Sequence, residues 1–274
     1  MKIIGLMVVK NEDDIVGYCL DDAVKWADKI IIMNNGSTDK TESIILNKKF
    51  KYPDKIIYWG RYDGNFREGL RGLLYLDNKE IFEVGDWIIR LDSDEFYIDD
   101  PRDFLAKLPE QVNFVRNASF QYYYTQEDYI QERSNSEFHN QNPAERLKYH
   151  MPNWGENRCA KVTEDMKWEL SGTLMKSTWP SYPVHYISSK RIRLKHFKYR
   201  SMLQMEKRIG IRFETANKTG LFKYETLTPN LEDRIKDPKQ FRFDDGKSEY
   251  LYNDSKLPPL IKNDEKHKSE IVEV

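Results

Sequence analysis

The first hundred residues alternate short apolar runs with stretches whose apolar positions recur at helical spacing. Ile3 to Val9 is a run of strand type, and Ile15, Val16, Cys19, Leu20, Ala23, Val24 and Ala27 then return every three or four positions. That spacing puts one face of a helix against a core. A second strand, Ile30 to Met33, stops at Asn34-Asn35-Gly36, a turn signal. Asp39 is placed to cap the next helix, and Glu42 three positions on completes a capping-box pattern before Ile44 and Ile45. A third strand is predicted at Ile56 to Trp59. Asp63-Gly64 opens a helix with Phe66, Leu70, Leu73, Leu74 and Ile81 on one side, and Trp87 to Leu91 is a fourth strand.

Continuous apolar strands separated by helices imply a parallel sheet covered on both faces. Ligands of such α/β sheets bind just beyond the carboxyl ends of the strands. The polar loops after three of these strands read "KNEDD", "NNGSTD" and "DSDEF", and all three fall on one edge of the sheet.

The second half changes character. "NFVRNASFQYYY" reads as a long strand, with shorter ones at Lys161-Val162-Thr163, Thr173 to Lys176 and Val184 to Ile187. The polar segment 126–160 reads as a long loop or lid. "KRIRLKHF" alternates Arg191, Arg193 and Lys195 with Ile192, Leu194 and His196, a strand pattern, and a helix is predicted from about Ser201 to Phe213. The last residues combine prolines with many charges and are expected to be extended or loosely attached. The expected organisation is a ligand-binding half at 1–110, an elaborated α+β half at 111–215 that completes the same domain, and a C-terminal extension at 216–274.

Composition narrows the function classes. In 274 residues, 39% hydrophobic content suffices for a core, and a formal net charge of −1 gives no global attraction to nucleic acid or anionic membrane. Two distant cysteines, Cys19 and Cys159, make neither a disulfide framework nor a zinc cluster and fit a reducing, cytoplasmic setting. No stretch approaches the ~20 apolar residues of a membrane span, and the N-terminal run lacks the features of a signal peptide. The sequons at Asn35, Asn117, Asn217 and Asn253 therefore carry little meaning. The 17 Tyr, 13 Phe and 6 Trp serve packing first, and sugar-stacking surfaces would draw on the same residues.

The loops hold the chemistry. Asp92 and Asp94, joined through Ser93, offer hard oxygen ligands that suit Mg²⁺ or Mn²⁺, and such ions complete their shells with water and phosphates. A lone pair of this kind is common and often caps the next element. Here "NNGSTDKT" adds a glycine turn leading into a helix N-terminus, where backbone N–H groups attract anions.

Together, "VVKNEDDIVGYCLDDAVKWADKIIIMNNGSTDKTESII" and "WIIRLDSDEFY" resemble the nucleotide-sugar-binding half of family 2-type glycosyltransferases with the GT-A fold, over roughly residues 3–97. A weaker similarity continues at "LKHFKYRS" and Lys207. The resemblance implies an α/β fold with a mostly parallel, Rossmann-like sheet flanked by helices. It implies a metal-dependent glycosyltransferase that moves a hexosyl or pentosyl group from a nucleotide-sugar donor to a glycan, lipid-linked or other hydroxyl acceptor. Carried over by position, Val9, Asn11, Glu12, Gly36 and Asp39 form the nucleotide pocket, Arg67 approaches the diphosphate, and Ser93 lies with the donor. Asn34 stands where many members have an acidic residue that contacts uridine, so UDP is the first expectation and the base stays open. Asp92 serves ribose or metal, Asp94 the metal, and Glu95 a structural pairing with a basic residue. His196 is either a core histidine or a further metal ligand, and Lys207 either a solvated helix lysine or a phosphate contact. The general base falls among Glu164, Asp165 and Glu169, with Asp165 preferred.

Two other readings remain beside this one. The basic segment from Lys190 to Arg208 suits an anionic acceptor, including a hydroxylated DNA base. A non-catalytic nucleotide-sugar-binding module would keep the pocket without turnover. A nucleotidyltransferase is disfavoured, because "KNEDD" has the wrong sign after the first strand.

Overall fold

The computed structural model describes residues 1–169, 179–227, 230–247, 249–261 and 268–274. Its first half is built from β1 (Ile3–Val9), α1 (Val16–Trp26), β2 (Lys29–Asn34), α2 (Thr41–Lys51), β3 (Ile56–Arg61), α3 (Leu70–Leu76) and β4 (Trp87–Leu91). β1 pairs in parallel with both β2 and β4, and β2 with β3, so four parallel strands stand in the order β3-β2-β1-β4. Side chains alternate between the two faces as strand geometry demands. Ile3, Met7, Ile30, Ile32, Trp87 and Ile89 pack with α1 residues Val16, Leu20 and Ala23 on one side. Ile4, Leu6, Ile31, Met33 and Ile88 pack with Leu70 and Leu74 of α3 on the other. Each of these fully buried aliphatic side chains contributes roughly 1.5–3 kcal/mol relative to exposure.

The second half extends the sheet. It comprises β5 (Glu95–Tyr97), α4 (Pro101–Ala106), β6 (Phe114–Tyr123), α5 (Gln126–Ser134), α6 (Pro143–Arg146), β7 (Tyr149–Trp154), β8 (Asn157–Lys161) and β9 (Val184–Ser188). β10 (Ile192–His196), α7 (Met202–Thr219), α8 (Lys223–Thr226), β11 (Arg242–Phe243) and β12 (Lys268–Val272) complete the described chain. β8 joins β4 to the long β6 through antiparallel pairs, and β7 and β11 continue beyond β6. β10 lies parallel to β6 and antiparallel to β5, which sets His196 opposite Glu95.

Several expectations need correction. Segment 126–160 is not one loop: Thr125 caps α5 through a capping box with Asp128, and β7 and β8 follow. β7 and β8 each pair antiparallel with β6, and the polar composition belongs mainly to the short helices and to the exposed face of β7. The tail is not loose near its end, because β12 pairs in parallel with β9 and Val272 is buried in the main core. The charges of "DEKHKSEIVEV" masked a short strand. Strand β8 ends at Lys161, where a strand was expected to begin. The helix expected from Asp63 starts only at Leu70. Glu42 does not close a capping box with Asp39: it accepts from Tyr58 and Arg61 on the neighbouring strand instead. The strand expected at Thr173 to Lys176 lies outside the described residues.

Candidate active site

The loops after β1, β2 and β3 are tied together by asparagines. Asn11 adopts a left-handed backbone at φ 52°, a conformation that asparagine tolerates better than most residues. From there its side chain accepts from Thr38 N–H at 2.7 Å, and its own N–H donates to Ser37 Oγ at 3.0 Å. Asn34 is fully buried and accepts from Ser37 N–H at 2.9 Å, which shapes the turn at Gly36 (φ 69°). Asn35 donates to the carbonyls of Tyr62 and Gly64, at 2.9 Å each. Asp39 accepts from Thr41 N–H and Asp13 N–H. A cavity of about 720 Å³ opens in front of these loops, between them and α7.

Asp92, at the end of β4, meets cations. Arg71 donates to one of its carboxylate oxygens, and Arg90 (2.9 Å) and Arg158 (3.3 Å) to the other. Arg158, fully buried, also grips Glu95 through two bonds and Glu156 at 2.7 Å. Carboxylate oxygens of Asp92, Glu95 and Glu156 lie within 4.8 Å of one another. Three acids thus face three guanidiniums, and the crowding is relieved by charge pairing. Burial works to raise the Asp92 carboxyl, but Arg90, Arg71 and Arg158 hold it well below the usual range. Burial pushes Glu95 up to about 7 against the pull of Arg158.

Asp94 belongs to a second group. Its Oδ2 lies 3.5 Å from His196 Nε2, 3.6 Å from Arg208 Nη1 and 4.0 Å from Arg200 Nη1. Burial opposes ionisation of Asp94, and His196, Arg208 and Arg200 overcome it, so the carboxyl stays far below its ordinary value. Burial lowers the imidazole pKa of His196, and Asp94 more than reverses this. Arg200, itself buried, clamps Glu12 and Asp14 of the loop after β1. An oxygen and an imidazole nitrogen that close, presented from the turn before β5 and the end of β10, are a donor set that one divalent cation accepts. Asp94 and His196 therefore fit a metal. Asp92, with Glu95 and Glu156, makes a second carboxylate group close enough to share one ion, although both its oxygens also accept from arginines.

Behind α7, Glu225 is buried among Lys198 (3.5 Å), Arg208 (3.3 Å) and Arg212 (3.4 Å). All three cations also line the cavity. Arg208 also faces Glu12 and Asp94, at 3.6 Å each, so this wall interleaves guanidiniums with carboxylates. Burial brings the Lys198 ammonium down to about 8, with Glu225 opposing the shift. Lys198 therefore remains mostly charged at neutral pH.

Of the residues singled out from sequence, Val9, Asn11, Glu12, Asp92, Ser93, Asp94 and His196 line the cavity. Asn34, Gly36 and Asp39 sit behind it and shape the loops. Arg67 and the exposed Lys207 do not line it, although Arg208, next to Lys207, does. Asp165 is exposed, accepts from Thr163 Oγ1 at 2.6 Å and is not brought to the cavity. Sequence reasoning passed over Arg71, Arg90, Arg158 and Arg212, and took Lys198 and Arg208 only as part of a basic segment. The signal for Arg90 and Arg158 was a charged residue inside an apolar strand, "WIIRL" and "RCA", which requires a buried partner. Arg208 and Arg212 were visible as an i, i+4 pair on one helix face.

The model of glycosyl transferase family 2 matches residues 6–162, from β1 through the end of β8. The chain belongs to this family. Its fold is the mixed α/β architecture expected of GT-A, with a large, mostly parallel sheet flanked by helices. No curated protein matches the chain. Among solved structures, the mannosyltransferase PcManGT from Pyrobaculum calidifontis, in complex with GDP-Man and Mn²⁺, is similar at 15% identity with a TM-score of 0.34. That match covers 46% of this chain and 36% of the other. A mycobacterial protein is similar at 20% identity and TM-score 0.30, over 44% of this chain and 40% of its own. The chain thus spans well under two thirds of either neighbour. Among the described residues, no helix is long and apolar enough to cross a membrane.

Proposed function

We propose that this glycosyltransferase moves a sugar from a nucleotide-diphosphate donor, UDP-linked in the first instance, to an acceptor hydroxyl, with Mn²⁺ or Mg²⁺ held by Asp94 and His196. The observation that carries the reading is the Asp94–His196 pair, 3.5 Å apart inside a cavity that Arg208 and Arg212 of α7 also line. Val9, Asn11 and Glu12 line the nucleotide end of the cavity, and Asn34, Gly36 and Asp39 hold the loop that frames it. Asp92 orients the end of β4 through its arginines and, with Ser93, borders the ribose. Lys198, Arg208 and Arg212 face the diphosphate, a role first assigned to Arg67 and Lys207. When bound, the divalent ion supplies Lewis-acid neutralisation of the departing nucleotide diphosphate.

The acceptor hydroxyl must lose a proton as the new bond forms. Asp165 is too exposed and too remote from the cavity for that work as the chain stands. Glu68 and Glu214 line the cavity, whereas Glu156, which also lines it, is paired with Arg90 and Arg158. We assign the base to this pair. The two free, buried cysteines fit a reducing compartment and hence the cytoplasm. The test is nucleotide release from a panel of UDP- and GDP-sugars with Mn²⁺ or Mg²⁺, with oligosaccharide and hydroxymethylated-DNA acceptors in parallel. Failure of every nucleotide to stabilise the protein in the presence of metal would sink the reading, as would full metal-dependent binding in Asp94→Ala.

A further inference from the structure

A second groove, of about 440 Å³, lies along β7 on the outer edge of the sheet. Three exposed cations, Lys239, Arg242 and Lys256, line it, and no lining residue carries a carboxylate. Three acids on the same segments are turned to other work. Asp237 accepts from Lys239 N–H at 3.0 Å, Asp244 is buried with Lys195 and Tyr250, and Asp254 accepts from Arg191 Nε at 2.6 Å. The groove also has aromatic surface. Phe241 is fixed by stacking on Tyr123, with ring centroids 4.1 Å apart, and Tyr252 lies in the groove as well. Gln240 and Asn253 add amide groups that match hydroxyls. Arg242 is positioned on the sheet edge by its pairing with His150 and by a 3.1 Å bond to the Leu251 carbonyl.

Strand β7 links the groove to the transfer cavity. Met151 and Pro152 of β7 line the groove, and Trp154 at the end of the same strand lines the cavity and is 53% exposed. Two positions along a strand span roughly 7 Å, a distance that a short oligosaccharide covers. We infer that the groove is a distal acceptor subsite for an acidic saccharide. The saccharide's anionic groups meet Lys239, Arg242 and Lys256, its ring faces pack on Phe241 and Tyr252, and its chain runs along β7 past Trp154 to the cavity. This rests on the glycosyltransferase reading above and adds the acceptor class. A nucleic acid is less suited, because the basic patch is short and the whole chain carries a net charge of −1.

The test uses the full chain and a fluorescein-labelled galacturonic acid hexamer, with labelled maltohexaose and a single-stranded oligonucleotide of similar length as comparators. Polarisation titrations are run on the native protein and on the triple variant K239A/R242A/K256A. The acidic hexamer should bind the native protein more tightly than either comparator, with an affinity that falls as salt rises. The variant should lose about tenfold or more, the size expected from three exposed charge contacts. Equal binding of maltohexaose, tighter binding of the oligonucleotide, or an unchanged affinity in the variant would each overturn the inference. Stabilisation by UDP- or GDP-sugar with Mn²⁺ is measured on both proteins. It should be unchanged by the triple variant, and its absence from both would count against the donor reading instead.

Discussion

Arg158→Met isolates the charge cluster under the end of β4. The guanidinium is 0% exposed and supplies two bonds to Glu95, which is 5% exposed, along with contacts to Glu156 and Asp92. Asp92 and Glu156 keep Arg90 in the variant, and Asp92 keeps Arg71. Glu95 pairs with Arg158. Removing one partner of a buried pair costs about 3–5 kcal/mol, because the other charge stays behind in a dry site. The pKa of Glu95 is about 7 with the arginine present, so without it the carboxyl takes up a proton at neutral pH. A carboxyl whose folded pKa lies above its unfolded value loses stability as pH rises toward the folded value. The deficit should therefore be larger at pH 8.5 than at pH 6. Urea unfolding at both values measures it, and Arg158→Met/Glu95→Gln should recover at least about 2 kcal/mol of the loss. A single-variant cost below about 1 kcal/mol, or a double variant as unstable as the sum of its parts, would refute the pairing.

Asp94→Asn should lower the melting temperature, because it removes a buried carboxylate that faces His196, Arg208 and Arg200, and should reduce metal-dependent transfer by about a hundredfold or more, read as sugar-nucleotide turnover per folded protein. Asp165→Ala should keep turnover within about twofold, since its carboxylate lies outside the cavity; a tenfold loss would restore it as the base. His150 is buried, which brings its pKa down to about 4. The unfolded chain then binds a proton near pH 6.5 that the folded chain refuses, so stability should fall by about 3 kcal/mol as pH drops from 6.5 to 4. His150→Asn should flatten that slope in acid-denaturation curves. A Cβ at Gly155 would meet the Asn117 carbonyl oxygen at 2.7 Å, so Gly155→Ala should lower stability by about 1–3 kcal/mol in thermal melts and displace Trp154 and Glu156 at the cavity.

The parallel half was legible because its strands are apolar without interruption and its helices keep a regular period. β1 and β4 have the boundaries that their apolar runs predict, and the loops after β1, β2 and β4 do meet at one edge. The half after residue 110 was harder to read. β7 lies near the edge with polar residues facing solvent, and β12 hides its Ile271-Val272 pair in a charged tail, so neither shows a burial pattern. Asp94 and His196 were reached through motif and alternation, since a strand's period places His196 at a definite register. The arginine wall was not, because pairing between Arg158 and Glu95, or between Lys198 and Glu225, depends on contacts across distant segments that no local period encodes.

The parallel pairing of β12 with β9 bears on how the chain comes off the ribosome. β1 to β4 are consecutive and can assemble as they emerge. β9 must wait with one edge unsatisfied until β12, far downstream in the chain, has been made. During that interval the exposed edge can recruit another chain. Yield in the cell should therefore depend on chaperone supply and on growth temperature more than the stability of the finished enzyme would suggest.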